Sequence, residues 1–140
     1  MSAYDYDFYK NSEVKQEIIN ELAEEIFKDN VDVDEVFKVK KCSNKFCWKN
    51  FIRIFEAASY ENKLKGIPIA FGFLQDENWP VFPYAVNFLV QFGDGVMGPY
   101  IEKYLERAQK EDDEMWIDGI TFLKHQRKTG RIETWFGQRL

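Results

Sequence analysis

Apolar residues recur every three or four positions along most of this 140-residue chain, with charged residues between them. At residues 12–28, Val14, Ile18, Leu22 and Ile26 fall at intervals of four, which places them on one face of a helix. The same spacing predicts further helices at residues 45–59, 62–75, 80–92, 99–108 and 113–129, and a short docked helix at 131–140.

Capping residues and helix breakers indicate where these helices begin and end. Asn11 or Ser12 is the predicted N-cap of the first helix, since both side chains can accept a hydrogen bond from a backbone N–H. Pro80 suits the first turn of a helix that Gly93 would stop. The glycines that follow are expected to form a turn, so that Pro99 opens the next helix. Asp112 or Asp113 is the predicted cap of the last long helix.

A short motif, Asp-Glu-x-Trp, occurs twice where one predicted helix gives way to the next. Its copies are Asp76–Trp79 and Asp113–Trp116, 37 residues apart. Helical pairs that repeat every 40 residues or so are typical of HEAT and armadillo solenoids, which stack the pairs side by side. A generic helical bundle is the alternative, because four matching letters can arise by chance.

The predicted fold is therefore all-α, with antiparallel helical hairpins stacked as a short HEAT/ARM-like α-solenoid. Connections are short, and the only ambiguous segment is 31–41, which alternates at Val31 and Val33 but carries acids that favour a short helix. We predict one domain over 1–140, with an N-terminal capping helix at 12–28, three hairpins over 33–127 (33–59, 62–92 and 96–127) and a C-terminal capping segment at 131–140.

The chain offers few groups for catalysis. His125 is the single histidine, and it lies near a predicted helix end, where a cation is favourable. Two cysteines and one histidine cannot build a structural zinc site, and the glycines at 93–98 do not match a nucleotide-binding loop. We therefore expect no catalytic residue, no metal and no cofactor. The N-terminus carries acids where an export signal needs bases, so we expect a cytoplasmic protein.

The formal net charge of −5 conceals opposing blocks. Residues 1–36 and 66–123 carry net charges of −8 and −7, whereas residues 37–65 and 124–140 carry +6 and +4. Fields of this kind can steer a charged partner. The basic stretch 38–53 also contains aromatic residues, a pattern that nucleic-acid binders share, but the acidic protein as a whole disfavours that function.

The acidic residues near the two tryptophan motifs are the candidate partner-binding residues. Acids in a first helical turn stabilise the helix dipole, which explains one or two of them but not a run of four followed by another acid one turn later. Trp79 is included as a possible apolar anchor, although a tryptophan at helical spacing is more often part of the core. The candidates are Asp76, Glu77, Trp79, Glu111, Asp112, Asp113, Glu114 and Asp118.

Residues 66–125 resemble a group of small bacterial HEAT-like proteins. The resemblance lies in an Asp-x-Asn-Trp-Pro-Val turn at residues 76–81, a helix that ends in glycine at residue 93, a Pro-x-Ile helix at Pro99 and an Asp-Asp-x-x-Trp turn at Asp112–Trp116. Domains of this group are often encoded beside polymorphic toxins, and several are similar to immunity proteins of contact-dependent growth inhibition systems.

The resemblance implies a non-enzymatic immunity protein, a monomer that binds its cognate toxin domain in a 1:1 complex. The acidic surface favours a nuclease toxin, because acids can occupy the basic groove that phosphates would use. We expect no direct nucleic-acid contact and no membrane partner. One alternative is a HEAT-like scaffold or adaptor for a peptide or protein unrelated to toxins, and another is a carboxylate-metal enzyme.

Overall fold

A computed structural model describes residues 6–129 of the chain. The described residues contain helices and turns but no β-strand, which confirms the all-α prediction. The α-helices are α1 (Gln16–Ile26), α2 (Val33–Val36), α3 (Lys49–Ala57), α4 (Tyr60–Lys63), α5 (Ile67–Gly72), α6 (Phe82–Leu89), α7 (Asp94–Lys110) and α8 (Glu114–Thr129). Short 3₁₀ turns occur at Asp7–Tyr9, Val39–Lys41, Lys45–Cys47, Leu64–Gly66 and Phe73–Gln75. None of the described helices is long and apolar enough to cross a bilayer.

The chain divides into two compact units, an N-terminal unit (Met1–Ile69) and a C-terminal unit (Ala70–Leu140). The boundary falls inside α5. The single domain over 1–140 stays a prediction, and the predicted capping segment at 131–140 lies outside the described residues. In the range of the first predicted hairpin, 33–59, the structure has one turn of helix, α2, before α3.

In the N-terminal unit, α1 packs against α3. The predicted face of α1 is only partly correct, because Ile18 is 45% exposed and Leu22 is half-buried, and the helix is turned so that Ile19 faces the core instead. Ile19, Ala23 and Ile26 of α1 are buried, as are Phe51 and Phe55 of α3. Aromatic rings fill the remaining space: the ring centroids of Phe37 and Phe55 are 4.5 Å apart, and Phe8 meets Phe51 edge-on at 6.0 Å. These contacts bury the large apolar surfaces that stabilise the unit.

Polar side chains of α3 hold the segment that precedes α1. Asn50, which is fully buried, donates from Nδ2 to the carbonyl oxygens of Phe8 at 3.0 Å and Asn11 at 2.8 Å. Arg53 donates from Nη1 to the carbonyl oxygen of Val14 at 2.7 Å. Because these carbonyls bond to α3, the segment does not continue as helix, and α1 begins only at Gln16.

The predicted N-cap at Asn11 or Ser12 is therefore wrong. Asn11 instead forms a local turn, in which its Oδ1 accepts a hydrogen bond from the backbone N–H of Glu13 at 2.9 Å. The residue that precedes α1 is Lys15, whose side chain makes no capping hydrogen bond.

In the C-terminal unit, α7 and α8 form an antiparallel hairpin joined by three residues. At the turn, the Arg107 guanidinium lies 5.3 Å from the centroid of the Trp116 ring. At the open end, Arg127 donates to the carbonyl oxygen of Phe92 at 2.6 Å and forms an ion pair with Asp94. The end of α8 thus fastens the start of α7.

Two predicted helix starts in this unit are wrong. α6 begins at Phe82, so Pro83 and not Pro80 occupies its first turn. α7 begins at Asp94, so Gly95 and Gly98 are helical and Pro99 lies inside the helix. Two features stabilise this start of α7, although glycines and the missing backbone N–H of Pro99 weaken a helix. Asp94 lies in the first turn, where a carboxylate is favourable, and Arg127 binds it there.

Replacing Gly95 by alanine should stabilise the protein if α7 begins at Asp94. Gly95 is exposed, and a Cβ built on it meets no atom of another segment within 4 Å. We expect Gly95→Ala to raise the free energy of unfolding by about 0.5–1 kcal/mol, because alanine loses less backbone entropy in a helix. Chemical denaturation measures this change. Gly98→Ala should gain less, because the ring of Pro99 crowds a Cβ on the helical residue before it. If Gly95→Ala is destabilised, residues 93–98 form the turn that the sequence suggests.

Candidate functional site

Trp116 fixes the first turn of α8 against the chain that leaves α5. Its side chain is buried, and its indole Nε1–H donates to the carbonyl oxygen of Phe71 at 2.9 Å. The Tyr104 ring of α7 covers it, with ring centroids 5.9 Å apart. Since a buried indole N–H needs an acceptor, this hydrogen bond sets the rotation of α8 about its own axis.

Gly119 brings α8 still closer to the same stretch of chain. A Cβ at this position would lie 2.0 Å from the carbonyl oxygen of Leu74, which is shorter than any real contact. Only glycine therefore allows α8 to pack here. The chain continues from Leu74 into the first tryptophan motif, so the contact places that motif next to the start of α8.

The two tryptophan motifs meet around a small depression, which we call the acidic pocket. Its volume is about 150 Å³, and one side comes from the first motif while α8 forms the other. Met115 at its edge is 49% exposed, so its apolar side chain is accessible to a partner. The pocket is lined by Asp76, Glu77, Asn78, Met115 and Asp118.

A side-chain turn shapes the first motif. Asp76 is half-buried, and its Oδ1 accepts a hydrogen bond from the backbone N–H of Asn78 at 2.8 Å. Its carbonyl oxygen accepts another from the backbone N–H of Trp79 at 3.1 Å. The turn leaves Glu77 exposed, and neither Glu77 nor Asp118 forms an ion pair with a described residue. Their negative charges are thus available to a partner.

The acidic run at 111–114 forms the turn between α7 and α8 and the start of α8. Glu111 pairs with Arg107 at 2.9 Å. Asp112 has a φ of 56°, the left-handed conformation that often ends a helix. The backbone N–H groups of Asp112 and Asp113 donate to the carbonyl oxygens of Gln109 and Ala108, at 3.1 and 2.9 Å, in the pattern of a Schellman motif.

Asp113 caps α8, as the sequence predicts. Its Oδ1 accepts a hydrogen bond from the backbone N–H of Trp116 at 3.1 Å. Glu114 follows in the first turn of α8, one turn before Asp118 and on the same face. Glu114 and Asp118 therefore extend the negative surface of the acidic pocket along α8.

The candidate residues thus separate into three groups. Asp76, Glu77 and Asp118 meet at the acidic pocket, with Glu114 beside Asp118. The other three acids of the candidate set, Glu111, Asp112 and Asp113, build the helix turn. Trp79 is half-buried and does not line the pocket.

Two pocket residues, Asn78 and Met115, were not predicted. Each occupies the variable position of its Asp-Glu-x-Trp motif. The repeat itself was the signal that could have found them, because two copies that pack together place corresponding residues near each other. Their side chains differ, however, so charge and composition gave no reason to select them.

The cysteines of the N-terminal unit have no reactive character. Burial raises the pKa of Cys42 to about 12, and the neighbouring Cys47 thiol adds to this effect. Burial also raises the pKa of Cys47, which is fully enclosed. Both thiols are protonated at neutral pH and are poor nucleophiles. Within residues 6–129, no three histidine, cysteine or acidic side chains are grouped so as to hold a metal ion.

Comparison with known proteins gives no match for this chain among family models, curated proteins or solved structures.

Glycine at position 112 should stabilise the turn that the acidic run builds. A left-handed backbone costs a residue with a Cβ more than it costs glycine, so we expect Asp112→Gly to raise the free energy of unfolding by about 0.5–1 kcal/mol. Glu102→Gly is the matched control, since Glu102 is an exposed acid inside α7. That control should lose about 0.5 kcal/mol in denaturation experiments. Destabilisation of Asp112→Gly would contradict the observed turn.

Proposed function

We propose that this chain is a non-enzymatic immunity protein that binds and neutralises a bacterial toxin domain, through the acidic pocket of its C-terminal unit. The observation that carries the proposal is the meeting of both tryptophan motifs at one exposed, negatively charged depression. The same motifs carry the resemblance to proteins encoded beside toxins.

Charge supports a toxin with a basic surface, most simply a nuclease. Glu77 and Asp118 have no cationic partner among the described residues, and Glu114 adds a third carboxylate on the same side of α8. A nuclease presents lysines and arginines to the phosphates of its substrate. Carboxylates placed in that groove would exclude the nucleic acid and would speed the encounter with the toxin.

Met115 supplies the apolar contact that such an interface needs. Protein interfaces combine a few well-packed apolar anchors with a polar rim. Met115 is half exposed, and the acids and Asn78 lie around it at the pocket. Methionine adapts to irregular partner surfaces, so it can pack against the aliphatic stem of a partner lysine or arginine.

The architecture that we propose for this function is a short HEAT/ARM-like stack, of which the α7–α8 hairpin is one repeat. Two observations support it: the helices are antiparallel, and only three residues join them. We further propose a monomeric, cytoplasmic protein that forms a 1:1 complex with its toxin.

Reversing two charges of the acidic pocket tests the proposal. Glu77→Lys/Asp118→Lys leaves the turn at 111–114 intact, since neither side chain makes a hydrogen bond within it. The protein used as the toxin in this experiment is the product of the adjacent gene, which is co-expressed with this chain and should co-purify with it. We expect the affinity of the double variant to fall by at least about tenfold, mainly through slower association, as measured by surface plasmon resonance.

The matched control is Glu21→Lys/Glu25→Lys, which changes the net charge equally on exposed residues of α1. It should leave affinity within about twofold, because neither residue lines the acidic pocket. Circular dichroism shows whether each variant is folded. Equal loss in both variants, or no loss in either, would contradict the assignment of the acidic pocket.

A further inference from the structure

A second cavity of the C-terminal unit lies between α7 and α8, toward the open end of the hairpin. Its volume is about 480 Å³, within the range of small-molecule sites. Glu114 and Lys128 are separated by about 21 Å along α8, so this cavity and the acidic pocket lie near opposite ends of the helix. We call it the basic pocket, and it is lined by Asp94, Ile101, Thr121, Lys124, His125, Arg127 and Lys128.

Arg127 and Asp94 neutralise each other within the basic pocket. The Arg127 side chain is 11% exposed and uses its guanidinium on Asp94 and on the carbonyl oxygen of Phe92. The only carboxylate of the lining is thereby compensated. The remaining formal charges are the ammonium groups of Lys124 and Lys128, which make the pocket positive.

The four side chains from α8 that complete the lining fall on one face of the helix. Thr121, Lys124, His125 and Lys128 are spaced at i, i+3, i+4 and i+7. Neither lysine forms an ion pair with a described residue, whereas Lys110 of α7 pairs with Glu106 at 3.4 Å. Two ammonium groups one turn apart repel each other, and a bound anion would relieve that repulsion.

The helix dipole explains only part of this pattern. Cations in the last turn of a helix are favourable, and this accounts for Lys128. Lys124 lies a turn earlier, where the dipole gives little, and it still faces the same cavity. The pocket thus combines a hydroxyl with two ammonium groups that have no ion-pair partner among residues 6–129, and phosphate oxygens bind groups of both kinds.

We propose that the basic pocket binds a small ligand that carries a phosphate group. Lys124 and Lys128 pair with the phosphate oxygens, and Thr121 and His125 offer further hydrogen bonds. Ile101 adds an apolar wall, against which the uncharged part of an organic phosphate would pack. The phosphate belongs either to a nucleotide or to inorganic polyphosphate, and this site is independent of toxin binding at the acidic pocket.

The experiment titrates the full chain with ADP and, separately, with pyrophosphate at constant ionic strength, followed by backbone amide NMR shifts. We expect saturable shifts at Thr121, Lys124 and Lys128 at ligand concentrations up to the millimolar range. Tighter binding of ADP identifies a nucleotide, and equal or tighter binding of pyrophosphate identifies the inorganic anion. An absence of shifts in this region with both probes would overturn the proposal.

Two matched variants distinguish a specific phosphate site from general attraction of the anion to a positively charged protein. Lys124→Gln/Lys128→Gln should weaken binding of the better probe by at least about tenfold. Lys103→Gln/Lys110→Gln removes the same charge from exposed residues of α7 and should change it less than about twofold. Equal weakening in the two variants would refute a specific site. The variant Glu77→Lys/Asp118→Lys, which changes only the acidic pocket, should still bind the phosphate probe. Phosphate binding is thereby tested separately from the immunity function.

Discussion

The C-terminal unit depends on how closely α8 approaches the chain at Leu74. A side chain at position 119 would collide with a backbone carbonyl, and the indole of Trp116 bonds to the carbonyl oxygen of Phe71 three residues earlier. These two contacts set the distance and the rotation of α8. Met115 and Asp118 are the immediate neighbours of the two contact residues in sequence, so the same packing that buries the tryptophan places them beside the first motif.

Hydrophobic spacing predicts the helices well, but tertiary hydrogen bonds decide where they begin. The buried face of α3 is the face that the spacing selects, whereas α1 buries Ile19 and Ala23 and leaves Ile18 exposed. The start of α1 could not be predicted, because the carbonyls of the preceding segment bond to Asn50, about 40 residues away in sequence. The start of α7 could not be predicted for a related reason. Glycine and proline suggest a turn at residues 93–99, but the structure has helix from Asp94, which pairs with Arg127 near the end of α8.

The sequence predicts the negative charge of the candidate site, but it does not predict how the residues are arranged there. Asp76, Glu77 and Asp118 were selected because acids accumulate near the tryptophan motifs, and the structure gathers them at one pocket. Charge alone could not show that three acids of the run at 111–114 form a helix turn, since that assignment needs the left-handed backbone of Asp112 and the cap at Asp113. It also could not find Met115, whose exposure follows from the rotation that Trp116 imposes.

The stability of Gly119→Ala tests most directly whether this packing organises the unit. The added methyl group would meet a backbone carbonyl, which cannot move without separating α8 from Leu74, so we expect the free energy of unfolding to fall by at least about 2 kcal/mol. Gly72→Ala is the matched control, because a Cβ there meets no atom within 4 Å. Its free energy of unfolding should be unchanged or about 0.5 kcal/mol higher. If Gly119→Ala were as stable as Gly72→Ala, α8 would not lie against Leu74, and the acidic pocket would not have the geometry described.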